Sequence, residues 1–431
     1  MEELLHYVWK HRMLPLEPLH TVDGQEVEVI DPGLHNANAG PDFFNAKVKI
    51  GGTLWVGNVE IHDKASDWYV HGHDKDTAYD NVILHVVGET GAETLTHAGT
   101  KVPQLVLGIP PTLAAHYNEL KTTDKFPPCY RIIPSLPLLT VHSWMSALQT
   151  ERLENKTEAI RKRAADCGES WEDAYFITLA RSHGFAVNGE ACEAWARTVP
   201  MRSVDHVRDS LFEIEAFFLG QAGLLDPEQM PQRHREEAVS DSYFQKLRSE
   251  YLYLAHKYSL SPIAYTNWRF LRLRPQNFPY IRIAQLASLC FNRKTSLAAL
   301  TDCTTLKEVK ELYSASVSPY WETHYTFGPK SRRSSKKLSE ASLNVVVINT
   351  AVPMLFAYGR YRQDDRLCDR AFDFLEQLQA EDNHIVRMWK ECGLQVDNAG
   401  DSQALIELKN CYCDHRDCLR CRFGYEYLKE I

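Results

Sequence analysis

The spacing of apolar residues changes rhythm along this chain. Leu4, Leu5, Val8 and Trp9 recur at helical intervals, so Glu2 to Met13 is predicted to form a short helix. From Gln25 to Leu107 the interval drops toward two. Val27 with Val29, Lys47 to Ile50, Thr53 to His62, Asn81 to Val87 and Gln104 to Leu107 read as short strands. Pro32-Gly33, Gly40-Pro41, Gly51-Gly52 and Gly88 bound them, and Gly51-Gly52 predicts a hairpin. Pro110-Pro111 and Pro127-Pro128 punctuate a connection. Beyond about Ser135 the helical interval dominates. It predicts helices at Thr140–Cys167, Trp171–His183, Gly189–Arg197, Arg202–Ala222, Ser240–Tyr258 and Tyr280–Leu289, then Ser296–Leu300, Leu338–Gly359, Asp364–Glu381 and Asp401–Cys411. No fixed-period repeat appears, so a solenoid is not favoured.

This pattern predicts an α+β chain of two domains. Residues 1–112 form a small α/β domain with a mixed central sheet, and residues 113–431 a mostly helical one. The length of 431 residues agrees, because it exceeds what one core usually supports. Hydrophobic and charged fractions of 44 % and 24 % exclude disorder, collagen and coiled coil as the dominant state. Met1 leads into Glu2 and Glu3 rather than a basic, then apolar, secretory leader. The longest apolar run, Leu343 to Gly359, is broken by Asn344, Asn349, Thr350 and Pro353, so it reads as a buried helix and no membrane partner is expected. Eleven cysteines without a leader point to a reducing cytoplasm.

Charge sharpens the division. The net charge is −9, and the first 110 residues carry all of it, with 16 acids against 7 bases and nine of the 18 histidines. The remainder balances 41 acids with 41 bases. An acidic, histidine-rich quarter beside a neutral remainder fits two domains of different chemistry, although a solvated acidic face has the same composition.

The densest chemistry lies in that first quarter. Asp42 starts one predicted strand, and Glu60 and His62 sit near the end of the next. Strand residues two apart face the same side, so Asn58, Glu60 and His62 project together and Val59 and Ile61 oppose them. Hairpin pairing then sets Asp42 beside Glu60. Two carboxylates at one strand end form a site for a hard cation, Mg²⁺ or Mn²⁺, with His62 placed to orient or deprotonate water. His71 and His73, followed by Asp74 and Asp76, read equally as a metal- or phosphate-contacting set and as a surface loop. His85, inside an apolar strand, reads as a satisfied core histidine.

Pro41-Asp42 followed by Glu60-Ile61-His62 resembles the signature of PD-(D/E)XK nucleases, with histidine in the lysine position. Trp68-Tyr69-Val70-His71-Gly72-His73-Asp74 resembles a stretch of the very-short-patch mismatch-repair endonucleases of that superfamily. The likeness spans roughly residues 40 to 87. It implies a restriction-endonuclease-like α/β domain, with Asp42 and Glu60 holding the metal and His62, His71 and His73 serving catalysis. The cysteines that hold a structural zinc in the repair enzymes are absent from this stretch. Over nearly its whole length the chain is also similar to a bacterial family known only as a domain of unknown function. Asn38-Ala39-Gly40-Pro41-Asp42-Phe43 and Arg274-Pro275-Gln276-Asn277-Phe278-Pro279 are among the matching stretches.

Two later segments carry further chemistry. Cys411, Cys413, Cys418 and Cys421 place four thiols in a short span, a ligand set for Zn²⁺ that would form a C-terminal zinc knuckle over 411–421. His415 is the alternative to Cys411 as fourth ligand. The other seven cysteines, Cys129 among them, read as core thiols. Trp268 to Arg282 interleaves arginines with aromatics, a mixture that nucleic-acid surfaces use and that a helix with a buried aromatic face produces equally. Arg272, Arg274 and Arg282, with Arg332 and Arg333, are the candidate nucleic-acid contacts.

The leading expectation is a metal-dependent nuclease or phosphodiesterase acting on DNA or RNA. One alternative is a non-catalytic nucleic-acid-binding protein of nuclease-like fold, directed to RNA or the ribosome. The other is a zinc hydrolase that uses His62, His71, His73 and His85.

Overall fold

The computed structural model describes residues 2–15, 17–36 and 38–429. It has two compact units. Met1–Leu136 and Asn410–Ile431 form the first, and Pro137–Lys409 the second. The expected border at residue 112 therefore falls inside the first unit, which also takes in the 411–421 segment.

Helix α1, Glu2–Lys10, opens the first unit with Leu4, Leu5, Tyr7, Val8 and Trp9 buried. Then come β1 (Leu19–His20), β2 (Glu26–Asp31), β3 (Leu34–His35), β4 (Phe43–Ile50) and β5 (Thr53–Lys64). A crossover containing α2 (Asp67–Val70) leads to β6 (Val82–Glu89). The short β7 (Thr94–Leu95), β8 (Lys101–Val102) and β9 (Gln104–Val106) precede α3 (Pro111–Thr122). One seven-stranded sheet runs β1-β2-β4-β5-β6-β9, with β3 on β4. It is mixed, as the sequence predicted: β2, β4 and β5 are antiparallel, whereas β5, β6 and β9 are parallel.

The β4–β5 hairpin closes at Gly51 and Gly52, both at positive φ (+55° and +86°), the backbone that a two-residue hairpin turn requires. Its tip is exposed through Leu54, Trp55 and Val56. Its other end is buried on both faces, with Val59 and Ile61 on one and Glu60 and His62 on the other. Parallel pairing with β6 sets Glu60 opposite His85 and His62 opposite Val87. Helix α3 occupies a stretch that read as a connection, because Pro111 sits in its first turn, where a missing N–H costs nothing.

The second unit is helical around one apolar core. Helices at Leu138–Asp166, Trp171–His183, Ser242–Tyr258 and Pro279–Phe291 fall close to their expected bounds. The expected Arg202–Ala222 helix is two helices instead, Met201–Val204 and Leu211–Gln221. The break lies before Ser210, whose hydroxyl accepts the Glu213 N–H and starts the second helix. Glu340–Arg362 is long and apolar enough to cross a membrane, and 67 % of its apolar window is buried in the unit. Its π-helical turn, Val347–Ala351, ends two residues before Pro353, which has no backbone N–H to donate.

Glu215 is fully buried in this core, its Oε2 accepting from the Tyr243 hydroxyl (2.6 Å) and Trp321 Nε1 (3.2 Å). Burial outweighs those bonds and pushes its carboxyl up to about 7. A raised folded-state value means that its contribution is full at acid pH and is lost as pH rises toward and through 7. Glu215→Gln, which cannot ionise, should therefore gain thermal stability over the parent at pH 8 relative to pH 5. An equal melting-temperature difference at both pH values would contradict this.

Candidate metal centre

The first-unit sheet brings Asp42, Glu60, His62, His71 and His73 into one neighbourhood. Asp42 and Glu60 interlock across the hairpin: the Asp42 N–H donates to Glu60 Oε2 (3.1 Å), and the Ile61 N–H donates to Asp42 Oδ2 (2.9 Å). Asp42 Oδ2 also lies 3.3 Å from Nε2 of His6 on α1. Burial opposes the Asp42 charge, but His6 and the Ile61 amide outweigh it and hold the carboxyl below its ordinary range.

Glu60 turns its other oxygen to the imidazoles. Oε1 lies 3.1 Å from His73 Nε2 and 3.5 Å from His62 Nε2. Burial raises its carboxyl, with His73 and the Asp42 amide opposing. His62 Nε2 lies 3.1 Å from His71 Nδ1. Ligand nitrogens of His62, His71 and His73 all fall within 4.8 Å of one another, close enough to hold a metal ion.

Local sequence explains how the crossover delivers two of these rings. Gly72, at φ +76°, lets the chain turn sharply between His71 and His73. His73 then stacks on Tyr79, with ring centroids 3.8 Å apart, and meets the edge of Trp68. Trp68 is fixed by its Nε1–H, which donates to the Leu95 carbonyl (2.9 Å). Glu60, His62 and His73 are buried, whereas His71 is exposed, so the site opens to solvent on the His71 side.

A relay behind His62 was not legible as part of the site. His62 Nδ1 lies 2.9 Å from His85 Nε2, and His85 Nδ1 lies 2.9 Å from the Thr94 hydroxyl. Gln104 Nε2 in turn donates to Thr94 Oγ1 (2.8 Å). Two tautomer polarities satisfy this chain. Only one, in which His62 Nδ1–H donates to His85 and His85 Nδ1–H donates to Thr94, leaves His62 Nε2 bare for a cation. Burial, then the neighbouring imidazoles, pulls His62 down to about 3, and burial with His73 pulls His85 down to about 4. Both rings are thus neutral at pH 7, as ligands must be. The hint in the sequence was one polar residue, His85, within an apolar strand.

The remaining candidates lie outside this neighbourhood. Lys64, the nearest lysine to the pattern, is exposed and pairs with Glu89. Cys413, Cys418 and Cys421 are buried, and Cys411 and His415 are exposed. Arg282 is buried, bonded to Gln285 and Asn277 and packed on Phe185, so it is a structural residue and not an accessible phosphate contact. Trp268 and Tyr280 belong to the core rather than to a stacking surface. Arg272, Arg274, Arg332 and Arg333 are exposed, with Arg333 paired to Glu322. In the helical unit a cavity of about 990 Å³ is lined by Lys156, Arg163, Arg181 and Asn349, among others. Its cations are largely engaged: Lys156 donates to Asn349, and Arg163 and Arg181 share Glu193.

If the relay sets the His62 tautomer, Thr94→Val should weaken divalent-metal binding about 10-fold or more, together with a stability loss of about 1–3 kcal/mol from the unpaired buried His85 and Gln104 donors. Competition with a chromogenic chelator measures this, and unchanged affinity would remove the relay from the site.

Residues 2–384 match the model of one family, Protein of unknown function (DUF2851). No curated protein and no solved structure matches the chain. The chain belongs to that family.

Proposed function

We propose that this chain, a member of a family without an assigned activity, is a metal-dependent hydrolase of phosphodiesters, with nucleic acid as the substrate class. The observation that carries the reading is the convergence of His62, His71 and His73 beside Glu60. Three imidazoles and one carboxylate prefer a nitrogen-tolerant ion such as Zn²⁺ or Mn²⁺ over Mg²⁺, which favours oxygen ligands. This revises the metal and its ligands: His62, His71 and His73 bind it, Glu60 Oε1 adds charge, and Asp42 positions Glu60 through the hairpin interlock. A bound divalent ion would supply Lewis-acid polarisation of a phosphoryl oxygen and a more acidic water.

The other residues serve that centre. His85, Thr94 and Gln104 orient His62. Trp68 and Tyr79 exclude water behind His73, and the open His71 side admits substrate. The phosphodiester class is supported by the likeness of Pro41-Asp42, Glu60-Ile61-His62 and Trp68–Asp74 to nuclease motifs. The order of strands agrees with it, since the antiparallel pair bearing Asp42 and Glu60 is followed by a crossover to a parallel strand.

Purified protein loaded with Mn²⁺ or Zn²⁺ should cleave a generic phosphodiester ester or single-stranded nucleic acid. His71→Ala and Glu60→Gln should each reduce the rate on the order of 100-fold or more. His71 is exposed, so its variant should melt close to the parent. Metal-dependent cleavage that survives both substitutions would exclude this centre as the active site.

A further inference from the structure

The cavity of the helical unit has no part in the proposed reaction, and its lining is not that of a packing defect. About 990 Å³ of space is lined by four bases, Lys156, Arg163, Arg181 and Arg269, against two carboxylates, Glu190 and Glu381. Voids left by imperfect packing are apolar, whereas surplus cations around an open volume repel one another unless an anion sits among them.

The cations are only partly spent on the protein. Arg163 gives Nε and Nη2 to Glu193 (3.1 and 2.9 Å), and Arg181 gives it only Nη1 (2.8 Å). Glu193 also accepts from Arg197, whose other partner is Asp166. Burial opposes the Glu193 charge, but the three guanidiniums outweigh it and hold the carboxyl down at about 2. A guanidinium has five N–H donors, so most of those on Arg181 are left over.

Arg269 is the clearest of the four. Buried Asn188 clamps its backbone: Asn188 Oδ1 accepts the Arg269 N–H, and Asn188 Nδ2 donates to the Arg269 carbonyl, both at 2.9 Å. The preceding Trp268 is buried, and its Nε1–H donates to the Ala222 carbonyl (2.7 Å). The guanidinium on this rigid support is exposed and has no hydrogen-bond or ion-pair partner among the described residues. It belongs to the arginine–aromatic stretch whose other members, Trp268 and Tyr280 among them, went to the core.

Lys156 and Arg163 sit seven residues apart on one face of the helix Leu138–Asp166, which is about 10 Å along its axis. Lys156 Nζ donates to Asn349 Oδ1 (3.0 Å), and Asn349 stands in the π-helical turn Val347–Ala351. Such turns recur at functional sites. Thr178 and Ser182 also line the cavity, and their hydroxyls donate to carbonyls of their own helix, which leaves their lone pairs able to accept.

We propose that this cavity binds a phosphate monoester with a polar body, of the size of a mononucleotide, its phosphate among Arg163, Arg181 and Arg269 and its body toward Lys156 and Asn349. A phosphate dianion offers three terminal oxygens to guanidiniums arriving from separate segments, whereas one arginine fork already satisfies a carboxylate. A bare ion would leave the stretch from Arg163 to Lys156 unfilled, and the volume lies at the upper end of that of small-molecule sites. Every lining residue belongs to the second unit, so the site is independent of the histidine centre.

Isothermal titration of the full-length His71→Ala/His73→Ala variant in chelator removes the histidine centre from the measurement. Adenosine 5′-monophosphate or ribose 5-phosphate should bind, with adenosine or ribose lower in affinity by about 10-fold or more for want of the phosphate. Arg181→Gln and Arg269→Gln, at exposed positions, should each weaken ester binding about 10-fold while melting near the parent. Arg233→Gln, an exposed arginine outside the cavity, should leave binding unchanged. Failure of both esters to bind at millimolar concentration, equal affinity for adenosine and its monophosphate, or undiminished binding in an Arg181→Gln/Arg269→Gln double variant would each overturn the assignment.

Discussion

Two crossed hydrogen bonds hold the candidate centre together: the Asp42 amide to Glu60, and the Ile61 amide to Asp42. Each carboxylate takes a backbone donor from the other's strand, so neither can move without unpairing the end of the hairpin. Buried carboxylates are costly unless hydrogen-bonded, and here the sheet itself supplies the donors. With Glu60 fixed, its second oxygen can face only the imidazoles of His62 and His73. The arrangement also sorts the two acids. Asp42, against His6 and an amide, stays ionised easily, and Glu60, raised chiefly by burial, resists ionising.

Parallel pairing supplies the next constraint. The β5–β6 register sets Glu60 opposite His85, so the two share a face, and His85 reaches under His62. An antiparallel neighbour would need a different register to do so. The crossover that makes parallel pairing possible is itself the segment bearing His71 and His73. One topological choice therefore delivers first the ligands and then the residues that orient them. Trp68 and Tyr79 make the crossover rigid enough for His73 to be held rather than tethered.

Much of this was legible because strands and hairpins have short-range signatures. The Gly51-Gly52 turn and the alternation over 53–62 were enough to set Asp42 beside Glu60 and to put Glu60 and His62 on one face. The His85–Thr94–Gln104 relay was not, because it depends on register between strands distant in sequence, and no local pattern records register across a crossover. Helix positions in the second unit followed from periodicity. The break at residues 205–210 did not, since Ser210 acts by capping and not by polarity pattern. Arg282 shows the converse failure: composition grouped it with exposed arginines, and only packing against Phe185 and Asn277 shows it to be internal.

The first unit is built from residues at both ends of the described chain, with 137–409 between them. During synthesis, the sheet and α3 emerge from the ribosome long before Arg416 and the C-terminal helix. Until translation reaches Arg416, the Leu120 and Thr123 carbonyls at the end of α3 lack the guanidinium that caps them. The N-terminal part of the first unit, which ends at Leu136, must wait, solvent-exposed along the surface that 410–429 later cover, while the whole helical unit is made. The order of assembly is thus fixed by connectivity: the first unit to begin folding is the last to finish.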